Sequence, residues 1–402
     1  MTTSKLIFDP FSDEFFTDPY PTYRRMREEA PLYHDEEHDF YALTRHTDVA
    51  AAFKDHQTYS SARGIDLGMV KNDDLPDEAK SIIFMDPPEH RRMRSLVNKV
   101  FTPRAITALK DTVTDLIEHY LSQVDAAEFD VVADFSALFP VEVISTMLGV
   151  PPEDHQKIRH LVDTSLHRQP GQVEMDESNW QAVTKLGVFY FGLIQERRER
   201  PQDDMISGLI AARVERDDGG TTQLDDAEIA GFLTLLGGAG AETVTKLVGN
   251  AVAQFARNPD QWQKLLDDRS KVPAAVEEVL RYEAPAQYNV RYSLQTVHLH
   301  GGAIPEGKPV FLVGGSANRD SEAFTDADEF DIERDRNEAQ NLGFGYGIHS
   351  CLGAALARLE SSIALEKLLD LMPRYEVIWD RCKRVTMQNV AGWSNVPVRV
   401  LP

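Results

Sequence analysis

Residues 342–353 read LGFGYGIHSCLG, a cysteine among glycines, and an amphipathic segment, Ala354–Met372, follows at once. Glycine lets a backbone bend sharply and approach a ligand closely. A cysteine where a loop enters a helix lies beside unpaired N–H groups and the positive end of the helix dipole, which lower the pKa of its thiol. Both effects suit Cys351 as an ionised thiolate bound to a metal. The same pattern also fits a buried structural cysteine or the nucleophile of a cysteine hydrolase.

The charge balance argues against two classes of partner. The 402 residues include 42 Lys and Arg against 65 Asp and Glu, a net charge of −23. Binding to nucleic acids and to anionic membranes depends largely on electrostatic attraction, so an acidic chain is poorly suited to either.

Cysteine content and hydropathy predict a cytoplasmic protein without a membrane anchor. Two cysteines, Cys351 and Cys382, do not make a disulfide framework and suit a reducing compartment. We find no apolar run of signal-peptide type near the N-terminus. The uncharged apolar stretch Ile229–Ala241 is well short of the ~20 residues that a membrane span needs.

Helix and strand patterns predict a mainly α fold with a small β part, an α+β class. From about residue 89 to 285, apolar residues recur at spacings of three and four, as in amphipathic helices, and Pro103–Gln123 is one such segment. Strand patterns occur at about residues 30–60 and 285–402. Because no repeat or low-complexity linker divides the sequence, we expect residues 1–402 to form one unit, with its strand-rich part drawn from both ends.

Two segments place charged side chains at helical spacings. Glu278 and Arg281 lie three residues apart and can pair on one helix face, although such pairs are usually exposed and worth only a few tenths of a kcal/mol. His90 and Arg94 follow two prolines and lie four residues apart, on what is most often a solvated basic face.

The segment Asp226–Arg257 predicts a long helix with a weak point in its middle. Residues 236–244 read LGGAGAETV, and each glycine inside a helix costs roughly 1 kcal/mol relative to alanine. We therefore expect the helix to be interrupted there. Glu242 and Thr243 place an acid beside an alcohol immediately afterwards, although a solvated glutamate on a helix surface would need no function.

The cysteine loop is more specific than these patterns. Its string Phe344, Gly347, His349, Cys351 and Gly353 resembles the haem-binding loop of the cytochrome P450 family at every fixed position. In that family a cysteine thiolate holds the haem iron. The resemblance implies the cytochrome P450 fold, haem b (Fe-protoporphyrin IX) as cofactor, and Cys351 as the iron ligand. Cys382 has no such context and is expected to be inert.

The resemblance also gives roles to the charged segments. Glu278 and Arg281, with Arg334, look like the family's ion-paired structural cluster beside the cysteine loop. Glu242 and Thr243 resemble the acid–alcohol pair that relays protons on the distal face of the haem.

Haem propionates need cationic partners. His90 and Arg94 resemble the family's propionate-binding helix, and Arg291 and His349 look like further partners. Phe344 and Gly353 complete the expected cofactor-binding set.

The implied activity is that of a haem-thiolate monooxygenase, which inserts one atom of O₂ into a substrate and reduces the other to water. No flavin or iron–sulfur segment is fused to the chain, so we expect electrons from NAD(P)H through a ferredoxin and its reductase. The protein is expected to be a monomer. A basic docking patch on the thiolate side is expected at Arg91, Arg92, Lys99 and Arg358.

The substrate pocket is expected to be lined by residues 63–85, residues 286–290 and the stretch around Trp393. Their apolar content suggests a lipophilic substrate such as a fatty acid, terpenoid or steroid.

Three other functions are weighed against this one. A peroxygenase would use H₂O₂ directly and would not need the acid–alcohol pair. A haem-based sensor would bind ligands without turnover. A cysteine hydrolase would purify colourless.

Overall fold

Helices account for most of the fold over residues 5–71, 81–215 and 220–402, the part of the chain that this computed structural model describes. In chain order they are α1 (Asp13–Thr17), α2 (Tyr20–Glu29), α3 (His46–Lys54), α4 (Leu67–Lys71), α5 (Glu89–Val97), α6 (Pro103–Ala108), α7 (Lys110–Leu121), α8 (Phe139–Leu148), α9 (His155–Leu166), α10 (Glu177–Glu199), α11 (Met205–Ala211), α12 (Asp226–Arg257), α13 (Pro259–Asp267), α14 (Val272–Tyr282), α15 (Gly314–Ala317) and α16 (Ala354–Leu371).

The strands are short, and most of them lie before residue 89 or after residue 285. In chain order they are β1 (Leu32–Asp35), β2 (Phe40–Leu43), β3 (Tyr59–Ser60), β4 (Glu128–Asp130), β5 (Val214–Glu215), β6 (Thr221–Thr222), β7 (Asn289–Ser293), β8 (Val297–Leu299), β9 (Gly302–Ile304), β10 (Pro309–Leu312), β11 (Tyr375–Val377), β12 (Lys383–Arg384), β13 (Trp393–Asn395) and β14 (Pro397–Val400). The predicted α+β class is confirmed.

A five-stranded sheet joins the two ends of the chain. Its strand order is β1-β2-β10-β7-β3. β10 pairs with β2 in parallel and with β7 in antiparallel orientation. Arg291, in the middle of β7, is opposite Val310 of β10, so a packed sheet fixes the position of its backbone.

Two details differ from the expected distribution of elements. β4, β5 and β6 lie inside the part expected to be helical, where β4 pairs with the C-terminal strand β14 and β5 pairs with β6. The single helix expected over Pro103–Gln123 is divided into α6 and α7 at Leu109. The N–H of Leu109 bonds to the carbonyl of Ile106, three residues back, which tightens and ends α6.

Helix α12 crosses the core without a break, so the interruption expected at residues 236–244 is wrong. Asp225 and Glu228 form a capping box that starts the helix. The glycines serve close packing instead: a Cβ on Gly237 would lie 2.4 Å from the hydroxyl oxygen of Tyr190 on α10. Their cost in helix stability is thus offset by the approach of a neighbouring helix.

The stretch Val131–Leu148 is long and apolar enough to cross a membrane by length and composition. It consists of a π-helical turn, Val131–Ser136, followed after a short turn by α8. Of this stretch, 61% is buried inside the protein. Its apolar character is therefore explained by its place in the core.

Candidate active site

The cysteine loop, residues 342–353, lies between α3 and the start of α16. Its backbone takes positive φ angles at Gly345 and Gly347, +68° and +72°. A Cβ on Gly347 would lie 2.4 Å from the carbonyl oxygen of Phe53 in α3, so the loop can pack here only with glycine. The N–H of Cys351 bonds back to the carbonyl of Phe344 at 2.9 Å and closes the loop.

The thiol of Cys351 faces the N-terminus of α16. Burial raises its pKa, although hydrogen bonds from the backbone of Gly353 and Ala354 and the charges of Arg94 and Arg358 act in the opposite direction. The net lowering expected from the helix dipole is therefore not found, because desolvation is the larger effect. The side chain is nevertheless accessible. A metal that binds thiolates would keep such a group deprotonated.

The other cysteine, Cys382, lies in a different environment. It is half-buried, its sulfur is 3.6 Å from the carbonyl oxygen of Ile378, and burial raises its pKa. It follows the turn Trp379–Arg381 and has an extended backbone conformation. Its inert role stays a prediction.

Four basic side chains meet beside the cysteine loop. His90 and Arg94 come from α5, Arg291 from β7 and His349 from the loop itself. The ring centroids of His90 and His349 are 4.4 Å apart. Arg94 donates a hydrogen bond from Nη2 to the carbonyl oxygen of Ser350 at 3.1 Å. The structure thus brings together the four side chains that the resemblance assigns to the propionates.

These four side chains have unused hydrogen-bonding capacity. The Nε2 atoms of His90 and His349 are buried without a hydrogen-bond partner among the described residues. The guanidinium of Arg291 is 5% exposed and donates to the carbonyl of its neighbour Val290. Unsatisfied buried donors are costly, so the arrangement calls for an acceptor from outside the chain.

The charges in the cluster point to an anionic acceptor. Burial lowers the pKa of Arg291 to about 10, with Asp86 opposing it. Burial and the charges of Arg291 and His90 lower the pKa of His349 to about 3. A ligand that brings two carboxylates would relieve both the repulsion and the missing hydrogen bonds. Haem, with its two propionates and an iron that accepts a thiolate, fits this set of donors.

Glu278, Arg281 and Arg334 form a buried ion-paired cluster that supports the loop. Arg281 binds both carboxylate oxygens of Glu278, at 2.7 and 2.8 Å. The Nε atom of Arg334 is 3.4 Å from the same carboxylate. Both arginines also donate to backbone carbonyls of residues 318–329. This cluster therefore ties α14 to the segment before the cysteine loop.

Glu242 and Thr243 point to different sides of α12. Thr243 is half-buried, and its hydroxyl donates to the carbonyl of Ala239 at 2.7 Å. Glu242 is 3% exposed, and its Oε2 lies 2.8 Å from Nζ of Lys246 in an ion pair. Asp163 on α9 shares a hydrogen bond with Glu242.

Neither Lys246 nor Asp163 was predicted as a site residue. The spacing of four between Glu242 and Lys246 was a readable signal. Asp163 offers none, because its contact with Glu242 depends on how α9 packs against α12.

The structure describes only part of the three segments that are expected to line the substrate pocket. Residues 72–80 of the segment 63–85 lie outside the described residues. Trp393 packs under Arg384, at 3.9 Å, and near Arg257 at the C-terminal end of α12. Its Cβ lies 3.8 Å from where a Cβ on Gly249 would be, and Gly249 is about 9 Å along the helix from Thr243 at 1.5 Å per residue. Within residues 286–290, Ala286 and Asn289 are half-buried and the others are buried.

Comparisons with known proteins agree with one another. A protein-family model described as cytochrome P450 matches residues 22–381. The putative cytochrome P450 123 of Mycobacterium tuberculosis is 41% identical over 397 residues, which cover 98% of this chain and 97% of the relative. The erythromycin C-12 hydroxylase of Saccharopolyspora erythraea is 37% identical over 379 residues, 93% of this chain and 92% of the relative. The structure of CYP109E1 from Bacillus megaterium in complex with corticosterone superposes with a TM-score of 0.83 at 32% identity, covering 96% of this chain and 100% of that one.

Proposed function

Because this chain belongs to the cytochrome P450 family of haem-thiolate monooxygenases, we propose that it hydroxylates a lipophilic organic substrate with O₂ and electrons from NAD(P)H delivered through a ferredoxin and its reductase. The observation that supports this most is the convergence of an accessible thiol, Cys351, with four basic side chains, two of which, His90 and His349, have a buried Nε2 without a hydrogen-bond partner among the described residues. Two similar proteins add support for the substrate class, since one is named a hydroxylase of erythromycin and another was solved with corticosterone.

The residues of the site would hold haem b in two ways. Cys351 would bind the iron through its sulfur, and His90, Arg94, Arg291 and His349 would bind the propionates. Phe344, whose ring lies 4.6 Å from the guanidinium of Arg358, and Gly353 would contact the cofactor from the cysteine loop. The bound haem would supply O₂ activation and oxygen insertion, which the side chains alone cannot perform.

Thr243 and Glu242 would hold and transfer protons beside the substrate. In this structure the hydroxyl hydrogen of Thr243 is directed to Ala239, so Oγ1 is free to accept a further hydrogen bond. A rotation about χ1 would release the hydrogen as a donor. Glu242 is buried and ion-paired, and it would pass protons inward from the protein exterior.

Two of the four cations in the basic docking patch proposed for the ferredoxin are ion-paired with carboxylates of this chain. Arg92 is ion-paired with Glu228, and Arg358 with Glu277 at 2.5 Å. Arg91 and Lys99 are exposed, and Lys99 Nζ donates to the carbonyl of Arg213. In a chain of net charge −23, these two residues would provide local attraction for an acidic partner.

We also propose that residues 1–402 act as one monomeric unit in the cytoplasm. The five-stranded sheet that pairs residues 40–43 with residues 309–312 supports a single unit.

Replacing Arg94 and Arg291 together by Gln is expected to weaken haem retention by about 10²-fold or more. Each charge-assisted hydrogen bond contributes roughly 1.5–3 kcal/mol, and 1.4 kcal/mol is a factor of ten. The measurement is the rate of haem transfer to excess apomyoglobin, with helical content followed by circular dichroism. Arg91→Gln, on the exposed face of the same helix, is the control. Wild-type haem retention in the double variant would contradict the assignment.

The proposed substrate class is tested by a spin-state titration. Purified ferric protein is titrated with a library of fatty acids, terpenoids, steroids and macrolides, beside a matched set of hydrophilic compounds. We expect a saturable low-spin to high-spin shift with members of the lipophilic set, because burial of apolar surface drives binding in such pockets. Shifts confined to the hydrophilic set would overturn the substrate class.

A further inference from the structure

Between α9 and α12 lies a cluster of titratable side chains, of which the proposed function uses only Glu242. It consists of Asp163 and Arg159 on α9 with Glu242 and Lys246 on α12. Carboxyl groups inside a protein normally have cationic or hydrogen-bonding partners. Here two carboxyl groups also contact each other, which is unusual unless they share a proton.

The four side chains form a path from the surface inward. The side chain of Asp163 is 35% exposed and that of Arg159 is 19% exposed. The side chains of Glu242 and Lys246 are 4% and 6% exposed. Asp163 therefore reaches solvent, and it also hydrogen-bonds Glu242. Glu242 itself does not reach solvent. Glu242 is in turn the residue before Thr243 on α12.

The surroundings of the pair shift the pKa values of the two carboxyl groups in opposite directions. Burial and the charge of Glu242 raise the pKa of Asp163 to about 8. Burial opposes ionisation of Glu242, but Lys246 and the hydrogen bond with Asp163 hold its pKa below the usual range. The shared proton consequently belongs to Asp163, which donates it toward a carboxylate.

Among the described residues, few other charges act on the pair. The largest effects come from Lys246 on α12 and from Arg159, whose Nη1 is 3.2 Å from Asp163. Arg159 also lies 3.4 Å from the exposed His160. Arg159 limits the rise in the pKa of Asp163, since a positive charge favours the ionised form of its neighbour.

We propose that Asp163 is the solvent-side proton donor to Glu242, so that the proton supply of the active site comes from a carboxyl pair on two helices. The inference rests on the proposed function. In each transfer the O–H bond of Asp163 breaks, an O–H bond forms on Glu242, and water then returns a proton to Asp163. No electrons move in this step. Because the partners lie on different helices, the path exists only while α9 packs against α12.

The protonation state of Asp163 is tested first, without turnover. Difference infrared spectra of the resting haem-loaded protein are recorded between pH 6 and 9 for wild type and for Asp163→Asn. Asp115→Asn, an exposed aspartate on α7, is the matched control. We expect wild type and the control to lose a protonated-carboxyl band as pH rises through about 8. We expect no titrating band in Asp163→Asn. A band that titrates unchanged in Asp163→Asn, or the lack of one in wild type, would overturn the proposal.

The role in proton supply is tested by turnover. The rate of substrate-dependent NAD(P)H oxidation is measured against pH with a surrogate ferredoxin and reductase. Asp163→Asn is expected to lower the rate by about 10²-fold, the lower end of the contribution of a positioned acid, and to remove the inflection near pH 8. Asp163→Glu is expected to restore both. A purely structural Asp163 would leave the inflection in place. If wild type oxidises no NAD(P)H with any substrate, the proposed function fails, while the infrared titration still decides the state of the carboxyl pair.

Discussion

Cys351→Ala is expected to abolish the strongly red-shifted Soret band of the reduced, CO-treated protein, or haem binding altogether, whereas Cys382→Ala should leave both unchanged. The reason is that a thiolate ligand gives that band its position. Cys351 is accessible and faces the start of α16, while the sulfur of Cys382 contacts the carbonyl of Ile378. Burial raises the pKa of both thiols, so it is position rather than acidity that distinguishes them.

The measurement is the CO difference spectrum of both variants together with haem content per protein. Cys382→Ala serves as the matched control, because it removes the same atoms from the same chain. The opposite behaviour of the two variants would place the iron ligand at Cys382 and contradict the site.

Thr243→Ala is expected to keep substrate binding and NAD(P)H oxidation but to release mostly hydrogen peroxide instead of hydroxylated product. The hydroxyl of Thr243 lies on the half-buried side of α12 and would hold the proton beside the substrate. A positioned acid typically contributes about 10²–10⁴-fold, so product formed per NAD(P)H should fall by an amount of this order. Glu242→Ala should instead slow NAD(P)H oxidation itself, because it cuts the proton supply upstream.

Thr234→Ala provides the control for Thr243→Ala. Thr234 is on the same helix, and its hydroxyl donates to the carbonyl four residues back, Ala230, at 2.8 Å, as that of Thr243 does to Ala239. Product and peroxide are quantified in parallel for each variant. Unchanged coupling in Thr243→Ala would make that hydroxyl a structural feature of the helix.

Local patterns in the sequence were sufficient for the fold class and the cysteine loop. The α+β class followed from apolar spacing, because helices and strands have different periods. The glycines of residues 342–353 predicted a tight loop, and the structure shows positive φ angles at Gly345 and Gly347.

Local patterns failed where packing decides the outcome. The glycines of residues 236–244 suggested a broken helix, but Tyr190 on α10 occupies the space beside Gly237 and the helix continues. A stretch of sequence does not state which neighbour fills a gap, and here that neighbour determined the result.

The electrostatics of the site were also beyond local reasoning. The helix dipole was expected to lower the pKa of Cys351, but burial outweighs it. The contact between Asp163 and Glu242 joins residues 79 positions apart in the chain, so no spacing could announce it. Desolvation and long-range pairing depend on the packed structure and become visible only there.

Turnover under ¹⁸O₂ tests the proposed reaction most directly. A substrate identified by the spin-state titration is incubated with the protein, NAD(P)H, ferredoxin and reductase under ¹⁸O₂ in ordinary water, and the product is analysed by mass spectrometry. We expect one ¹⁸O atom per hydroxylated product, formed only when NAD(P)H is present. Product that carries oxygen from water, or that forms only when hydrogen peroxide replaces the electron donors, would contradict a monooxygenase supplied by a ferredoxin.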